Sequence, residues 1–215
     1  KIKILNKLGE FNEIKNIEKS GINVEDKVLY EIAKSYFKNK NKDKAIELLN
    51  LGYQKNKKNE KILLLLAIIL YENEDLENSK KLFLELEKIN PTAEVMNYLG
   101  LFKLNEKNFS SAVNYFSKAH KSDEKNHEYI YNLASAYFLK GWLDEAVKYF
   151  TKAICLAPNT INYHYSLAYL YYHKKLYNKA AMELDLIKLL DKNHEQSNIL
   201  AAMITAKKGD ALTAK

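Results

Sequence analysis

The sequence predicts an all-α protein built as a solenoid, in which helix–turn–helix units stack side by side. Three observations support this prediction. Apolar residues recur at helical spacing along the chain. The 215 residues include only 6 Gly and 2 Pro, too few turn formers for an all-β fold. The apolar pattern itself recurs about every 34 residues, and a period of that length is typical of repeat architectures.

The clearest unit spans residues 127–160 and predicts a helix, a turn, a second helix and a stop. Apolar residues at helical spacing predict a first helix that ends at Gly141 and a second helix that Pro158 ends. Small residues stand where the two helices would approach closely, with large aromatic residues beside them. These residues are Ala134, Ala146 and Ala153, with Tyr137 and Phe150.

Five full units and a partial unit at each end account for the chain. The full units are 26–59, 60–92, 93–126, 127–160 and 161–194, and the partial units are 1–25 and 195–215. In the partial units we expect a turn at Gly9, a helix over residues 10–19, a helix end at Gly21 and a turn at Gly209. Because a helix pair cannot bury its apolar face alone, the units are expected to stack as a single array over residues 1–215.

The unit at 127–160 resembles the tetratricopeptide repeat (TPR), a helix–turn–helix motif of 34 residues. The residues that match its pattern are Leu133, Ala134, Tyr137, Gly141, Ala146, Phe150, Ala153 and Pro158. The departure is Ile130, where the motif has a large aromatic residue. The resemblance implies a right-handed α-solenoid of TPR units that binds another protein or a peptide.

The net charge of +7 and the pI near 9.1 suggest nucleic-acid binding as one function. All 34 basic residues are Lys, however, whereas bidentate reading of guanine and planar contacts to phosphate favour Arg. An AT-rich coding bias accounts better for an all-Lys composition that is also rich in Asn and Ile. Nucleic-acid binding is therefore kept only as an alternative.

The sequence lacks the patterns that would indicate catalysis or a cofactor. The five histidines never occur at i and i+4 on one helix, and no H-E-x-x-H, paired C-x-x-C or G-x-S-x-G occurs. The glycines fall at turns, at helix ends or, for Gly100, at a close contact, which leaves none for a phosphate-binding loop. We therefore predict no enzyme activity, no cofactor and no metal site. Cys155 is expected to be a small buried residue.

The resemblance also predicts where a partner binds. In TPR proteins, positions 2, 5, 9 and 12 of the first helix of each unit commonly face the concave groove. That frame predicts a groove that is basic toward its N-terminal end and aromatic toward its C-terminal end. The residues predicted to contact a partner are Tyr131, Tyr165, Tyr169, Tyr172, Asn97, Asn132, Glu128 and Phe138. The alternative is that several of these aromatic residues pack between helices.

One TPR subfamily holds the acidic C-terminal tails of Hsp70 and Hsp90 chaperones in a carboxylate clamp of Lys, Asn and Arg residues. In the window that starts at residue 93, the five clamp positions are Asn97, Leu101, Asn132, Asn162 and Ser166. Only Asn132 fits the clamp pattern. We therefore predict that the chain does not bind these tails.

The predicted function is a scaffold or adaptor that holds a peptide segment or partner protein in the concave groove. The sequence leaves two alternatives open: the regulatory arm of a larger enzyme whose catalytic domain lies outside this chain, and a Lys-rich nucleic-acid-binding surface. Self-association through exposed end faces is a further expectation.

The expected location is cytoplasmic. No apolar stretch reaches the length of a membrane span, and a single Cys fits a reducing compartment. The chain begins and ends within a repeat, which indicates a fragment of a longer protein. A targeting signal can therefore lie outside these residues.

Overall fold

The computed structural model describes residues 25–213, which form eleven α-helices and no strand. The chain divides into two compact units, Lys1–Pro91 (unit 1) and Thr92–Lys215 (unit 2). The helices of unit 1 are α1 (Asp26–Lys38), α2 (Lys42–Lys55), α3 (Glu60–Glu72) and α4 (Leu76–Ile89). Those of unit 2 are α5 (Ala93–Asn105), α6 (Phe109–Ser122), α7 (His127–Lys140), α8 (Leu143–Leu156), α9 (Ile161–His173), α10 (Tyr177–Leu190) and α11 (Glu195–Thr213).

The odd-numbered helices begin at the first residues of the repeats predicted from the sequence, which are Asp26, Glu60, Ala93, His127, Ile161 and Glu195. Within unit 1, α1 packs on α2, α3 packs on α4, and α2 contacts α3. Unit 2 has the same order, and its odd-numbered helices also contact one another in sequence from α5 to α11. The predicted all-α solenoid of helix pairs is confirmed.

Small residues at the helix contacts allow the close approach that the sequence predicted. Ala134, Ala146 and Ala153 have no exposed surface, and the Phe150 ring packs with the first two of them in one cluster. Gly100 also fulfils its predicted role, because a Cβ added there would lie 2.5 Å from Cε1 of Phe116. Any larger residue at Gly100 would have to displace the buried Phe116 ring that packs against it.

The turn inside each helix pair contains one residue in the left-handed backbone region. The position recurs once per pair, at Lys40 (φ 61°), Glu74 (φ 63°), Lys107 (φ 57°), Gly141 (φ 85°) and Lys175 (φ 59°). Glycine adopts this region without steric cost because it has no Cβ, whereas in other residues the Cβ comes too close to a backbone carbonyl oxygen. The turn predicted at Gly141 is confirmed, and four other pairs make the same turn with a strained residue.

The residue before each even-numbered helix up to α10 has the backbone geometry of an N-cap. Before α2, α4 and α6 it is Asn41, Asp75 or Asn108, whose side-chain oxygen accepts a hydrogen bond of 3.1–3.3 Å from a backbone N–H of the first turn. Trp142 and Leu176 occupy this position before α8 and α10, with similar φ and ψ and no side-chain cap. Two helices thus begin with an apolar residue where three begin with a polar cap.

His164 joins three segments of unit 2. Its side chain is buried, its Nδ1 lies 2.7 Å from Oε2 of Glu183 on α10, and its Nε2 lies 2.8 Å from the carbonyl oxygen of Pro158. A carboxylate and a carbonyl oxygen both accept hydrogen bonds, so each ring nitrogen of His164 faces an acceptor. The residue therefore holds the loop before α9 against α9 and α10.

His120 on α6 is also buried, but one of its ring nitrogens faces a hydrogen-bond donor. Its Nε2 lies 3.2 Å from Nζ of Lys152, and an ammonium group can only donate, so Nε2 accepts and the ring proton is on Nδ1. Nδ1 is buried without a hydrogen-bond partner among the described residues. Burial lowers the pKa of His120, and the charge of Lys152 lowers this pKa further, while nearby carboxylates offset part of the change.

Two expectations from the sequence are wrong. Helix α11 continues from Glu195 to Thr213 without a turn at Gly209, because a glycine inside a helix costs only about 1 kcal/mol and does not by itself end one. Cys155 is exposed rather than buried. The buried stripe of α8 is formed by Ala146, Phe150 and Ala153, and Cys155 lies off that stripe.

The turn predicted at Gly9, the helix predicted over residues 10–19 and the helix end predicted at Gly21 lie outside the described residues. Within residues 25–213, no helix combines the length and apolarity that a membrane crossing requires.

Replacing Lys175 with Gly is expected to stabilise the protein by about 0.5–1 kcal/mol. The change removes a left-handed cost of about 1–2 kcal/mol, part of which the greater backbone entropy of glycine offsets by about 0.5–1 kcal/mol. The matched control is Gly141→Lys, which should destabilise by a similar amount although a Cβ there meets nothing within 4 Å. Urea unfolding followed by circular dichroism measures both changes. Equal stability of Lys175→Gly and the parent chain would show that the turn is unstrained.

Leu176→Asn is expected to stabilise α10 by about 1 kcal/mol, because the backbone already has cap geometry and Asn supplies the missing acceptor. A gain of that size raises the melting temperature by about 2–4 °C in a chain of this length. Asn108→Leu is the reciprocal control and should lose a similar amount. Thermal melts of both variants test this prediction. A lower melting temperature for Leu176→Asn than for the parent chain would contradict the N-cap assignment.

The lowered pKa of His120 predicts a loss of stability in mild acid. Below the ordinary histidine pKa of about 6.5, His120 binds a proton in the unfolded chain but stays neutral in the folded state. The free energy of unfolding should therefore fall as the pH drops through that value, until the pH reaches the lowered pKa of the folded state. His120→Leu should show a shallower fall between pH 7.5 and pH 5, measured by urea unfolding. Lys152→Gln, which removes the second cause of the lowered pKa, should lie between the two, and unchanged slopes in both variants would contradict the assignment.

Candidate functional site

The odd-numbered helices of unit 2 lie side by side and form one face. Helix α5 contacts α7, α7 contacts α9, and α9 contacts α11. The residues predicted to bind a partner all lie on α5, α7 and α9. Their side chains either point out of this face or pack within it, and the geometry separates the two groups.

A pocket of about 210 Å³ opens between α7 and α9. Most of its lining is apolar, and two serines are among the lining residues. The lining residues are Ser135, Phe138, Leu139, Phe150, Tyr165, Ser166 and Tyr169. Three of the predicted residues, Phe138, Tyr165 and Tyr169, are thus brought together at one pocket.

Aromatic rings continue from the pocket along α9. The Phe138 ring meets Tyr169 edge-on at 6.0 Å between centroids, and Tyr165 and Tyr169 are nearly parallel at 6.3 Å. His173 packs edge-on against Tyr169 at 4.5 Å, and His194 lies 5.9 Å from Tyr165. Each ring is held by neighbours before any ligand arrives, so binding would cost little side-chain entropy.

His173, His194 and Leu139 belong to this face but fall outside the positions that the repeat frame selects. His173 and Leu139 occupy equivalent places in adjacent repeats, one residue beyond the last groove position. His194 precedes α11 and reaches Tyr165 across a repeat boundary. A helical-wheel extension by one residue would have found the first two, whereas nothing in the sequence indicates the contact of His194.

Tyr131 lies between helices rather than on the open face. Its hydroxyl is 3.0 Å from Oγ of Ser166, and its ring stacks on Tyr163 at 4.5 Å with an angle of 20° between planes. Phe150 lies 5.5 Å away on the second helix of the same repeat. This placement favours the alternative that Tyr131 joins repeats.

Tyr163, which the sequence did not single out, is a buried part of the same junction. Its hydroxyl lies 2.7 Å from Nδ1 of His127. Burial raises the pKa of Tyr163 to about 12, with a smaller contribution from the charge of Glu128. The phenol therefore stays protonated and joins α9 to the start of α7 at any physiological pH.

Asn97 and Asn132 pair with each other. The side-chain amide of Asn132 donates to Oδ1 of Asn97 at 2.8 Å, and Asn97 is buried. Each amide keeps part of its hydrogen-bonding capacity, but the pair also joins α5 to α7. Tyr172 is half-buried against the core cluster of α9, α10 and α11 and lies 6.0 Å from Tyr177.

Acidic residues lie at the N-terminal ends of α5 and α7, two of the helices that form this face. Glu128 is exposed at the start of α7. Glu94 is half-buried at the start of α5, and burial raises the pKa of its carboxyl. Within the described residues, no group of three or more His, Cys, Asp or Glu side chains is arranged to hold a metal ion.

Two family models match parts of the chain. The model for the anaphase-promoting complex, cyclosome, subunit 3 matches residues 105–187, and the model for the tetratricopeptide repeat matches residues 27–51. No curated protein sequence matches the chain significantly.

Solved structures resemble the chain over most of its length. PilW, a type IV pilus biogenesis factor, has a TM-score of 0.77 at 19% identity, covering 89% of this chain and 90% of PilW. YrrB, described as a TPR protein with an unusual peptide-binding site, has a TM-score of 0.69 at 17% identity, covering 91% of this chain and 97% of YrrB. MamA from Desulfovibrio magneticus RS-1 has a TM-score of 0.70 at 19% identity, covering 79% of this chain and 97% of the MamA chain.

At these identities the likeness concerns the fold. The tetratricopeptide model matches α1 and part of α2, and the helix pairs of both units repeat at the spacing of that motif. The residue pattern, the helix order and the match of the tetratricopeptide model to residues 27–51 support a tetratricopeptide repeat protein.

Proposed function

We propose that the protein is an interaction scaffold that holds a peptide segment of a partner on the face formed by α5, α7, α9 and α11. The single observation that carries the proposal is the pocket between α7 and α9, with Phe138, Tyr165 and Tyr169 at its wall. Tetratricopeptide repeats as a class serve as protein-interaction modules, which supports the same reading.

The pocket has the chemistry of a site for one anchoring side chain. Its volume of about 210 Å³ suits a single large apolar or aromatic residue, and its lining is mainly apolar. Tyr169 is 37% exposed and stands at the open side. Tyrosines held in this way contribute strongly at interfaces because they add large contact area with few rotatable bonds.

The aromatic row fits a short stretch of peptide beside the anchor. From Tyr165 to His173 the row covers eight steps along α9, or about 12 Å at the helical rise of about 1.5 Å per residue. An extended peptide covers that distance with about four residues. The segment would therefore place one side chain in the pocket and lay a few neighbouring residues across the rings.

Replacing Tyr165 and Tyr169 together with Ala should abolish most peptide binding while the fold remains intact. Each clustered anchor is expected to contribute about 2 kcal/mol, so the double variant should bind at least about 100-fold more weakly. Peptides selected from a random displayed library on the parent protein supply the ligands, and fluorescence anisotropy supplies the affinities.

The matched control is Met182→Ala with Leu189→Ala, which removes two exposed apolar residues from α10. Selected peptides should bind this control as they bind the parent chain. If they bind the Tyr165→Ala, Tyr169→Ala variant with parent affinity while circular dichroism shows a native helix content, the pocket is not the binding site.

A further inference from the structure

The N-cap position before the even-numbered helices α2 to α10 holds a polar residue in three cases and an apolar residue in two. The stability of the fold does not explain the two apolar residues. Asn41, Asp75 and Asn108 each satisfy a backbone N–H at the start of the following helix. Trp142 and Leu176 leave that hydrogen bond unmade while the backbone keeps the same geometry. Both apolar side chains are also exposed, Trp142 by 47% and Leu176 by 38%. Neither residue therefore gains from capping or from full burial.

The two residues lie on one edge of unit 2. Lys174, in the turn between α9 and α10, forms an ion pair with Asp144 at the start of α8. This pair holds the turn that contains Leu176 beside the turn that contains Trp142. Leu139, which is 49% exposed, is the second-last residue of α7 and lies three residues before Trp142. We call the surface formed by Leu139, Trp142 and Leu176 the turn edge.

Trp142 is fixed in position although it is exposed. Its ring stacks on Tyr137 with 5.7 Å between centroids and an angle of 15° between planes. The ammonium group of Lys140 lies 3.8 Å from the centre of the same ring, which is a favourable cation–π distance. A large aromatic side chain that is already immobilised loses little entropy when it becomes an anchor.

The charge around the turn edge favours a ligand of negative charge. Residues 139–145 and 173–179 carry four lysines, at 140, 174, 175 and 179, against two carboxylates, Asp144 and Glu145. The local net charge is therefore +2. Apolar anchors within a basic surround are complementary to a segment that combines apolar and acidic residues.

We propose that the turn edge is a second docking surface, whose occupant is an acidic amphipathic segment of a partner protein. The segment would cover Trp142 and Leu176 with its apolar side chains and direct its carboxylates to Lys140 and Lys175. This surface goes beyond the groove proposed above, because Trp142 and Leu176 do not line the pocket. Leu139 belongs to both surfaces.

Trp142 is the only tryptophan of the chain, so its emission reports on the turn edge directly. The probe is a synthetic 14-residue peptide with Leu at i, i+3, i+4 and i+7 and Glu at most other positions. Titration should produce a saturable blue shift as Trp142 leaves water. The same peptide with Lys in place of Glu should produce none, and raising the salt concentration should weaken binding of the acidic peptide.

Variants test the residues, with a fluorophore on the peptide as the readout. Leu176→Asn and Trp142→Asn should each weaken binding about tenfold, which corresponds to about 1.4 kcal/mol. Leu176→Asn should do so without lowering the melting temperature, because it restores a cap; this separates a binding role from a folding role. Leu189→Asn, a control at an exposed leucine of α10, should leave the affinity unchanged. The pair Tyr165→Ala with Tyr169→Ala should also leave it unchanged, which distinguishes this surface from the groove.

Four results would overturn the proposal. The first is the absence of a shift with the acidic peptide at millimolar concentration. The second is an equal shift with the lysine peptide. The third is a shift that depends on protein concentration alone, together with a dimer in sedimentation, which would assign the surface to a second copy of the chain. The fourth is a shift with vesicles containing anionic lipid but none with the peptide, which would assign the surface to a membrane.

Discussion

Close approach of helices through alanine and glycine is the constraint on which the rest of the structure depends. Ala134 and Ala146 have no exposed surface, and Gly100 leaves no room for a methyl group beside Phe116. Close packing within each pair lets the first helices of successive pairs also touch, from α5 through α11. The face formed by α5, α7, α9 and α11 exists because these helices lie side by side. It is a consequence of how the core packs, and its chemistry is then free to vary on the outward positions.

Polar contacts set the register between repeats and thereby occupy some of the side chains that the sequence predicted to contact a partner. Asn132 bonds to Asn97, Tyr131 to Ser166 and His127 to Tyr163, and each contact joins residues about one repeat apart. Such contacts make an array specific because apolar packing alone tolerates small slips between helices. The polar groups in these contacts have fewer hydrogen bonds left to offer a partner. Tyr165 and Tyr169 instead line the pocket between α7 and α9.

The sequence predicted the elements of the fold well because helical periodicity and small residues identify the face that each helix buries against its own partner. The starts of the odd-numbered helices and the turn at Gly141 follow from that information. It does not indicate how one pair meets the next, so Tyr131 was placed in the groove and the contact of His194 was missed. Cys155 and Gly209 show a second limit. One residue type cannot establish burial or a turn, because neighbouring hydrogen bonds and the buried stripe outweigh it.

At two recurring positions the backbone geometry is kept although the residue type changes. The left-handed turn residue and the N-cap each keep their geometry through all five pairs, although the residues differ. A lysine in the left-handed region is a modest cost that neighbouring contacts can offset, and its side chain remains solvated. An exposed Trp or Leu in place of a cap gives up a hydrogen bond and also keeps apolar surface in water. Trp142 and Leu176 are thus unfavourable for folding in both respects, and they lie in adjacent repeats on one edge. Residues of this kind are more readily explained by binding than by folding.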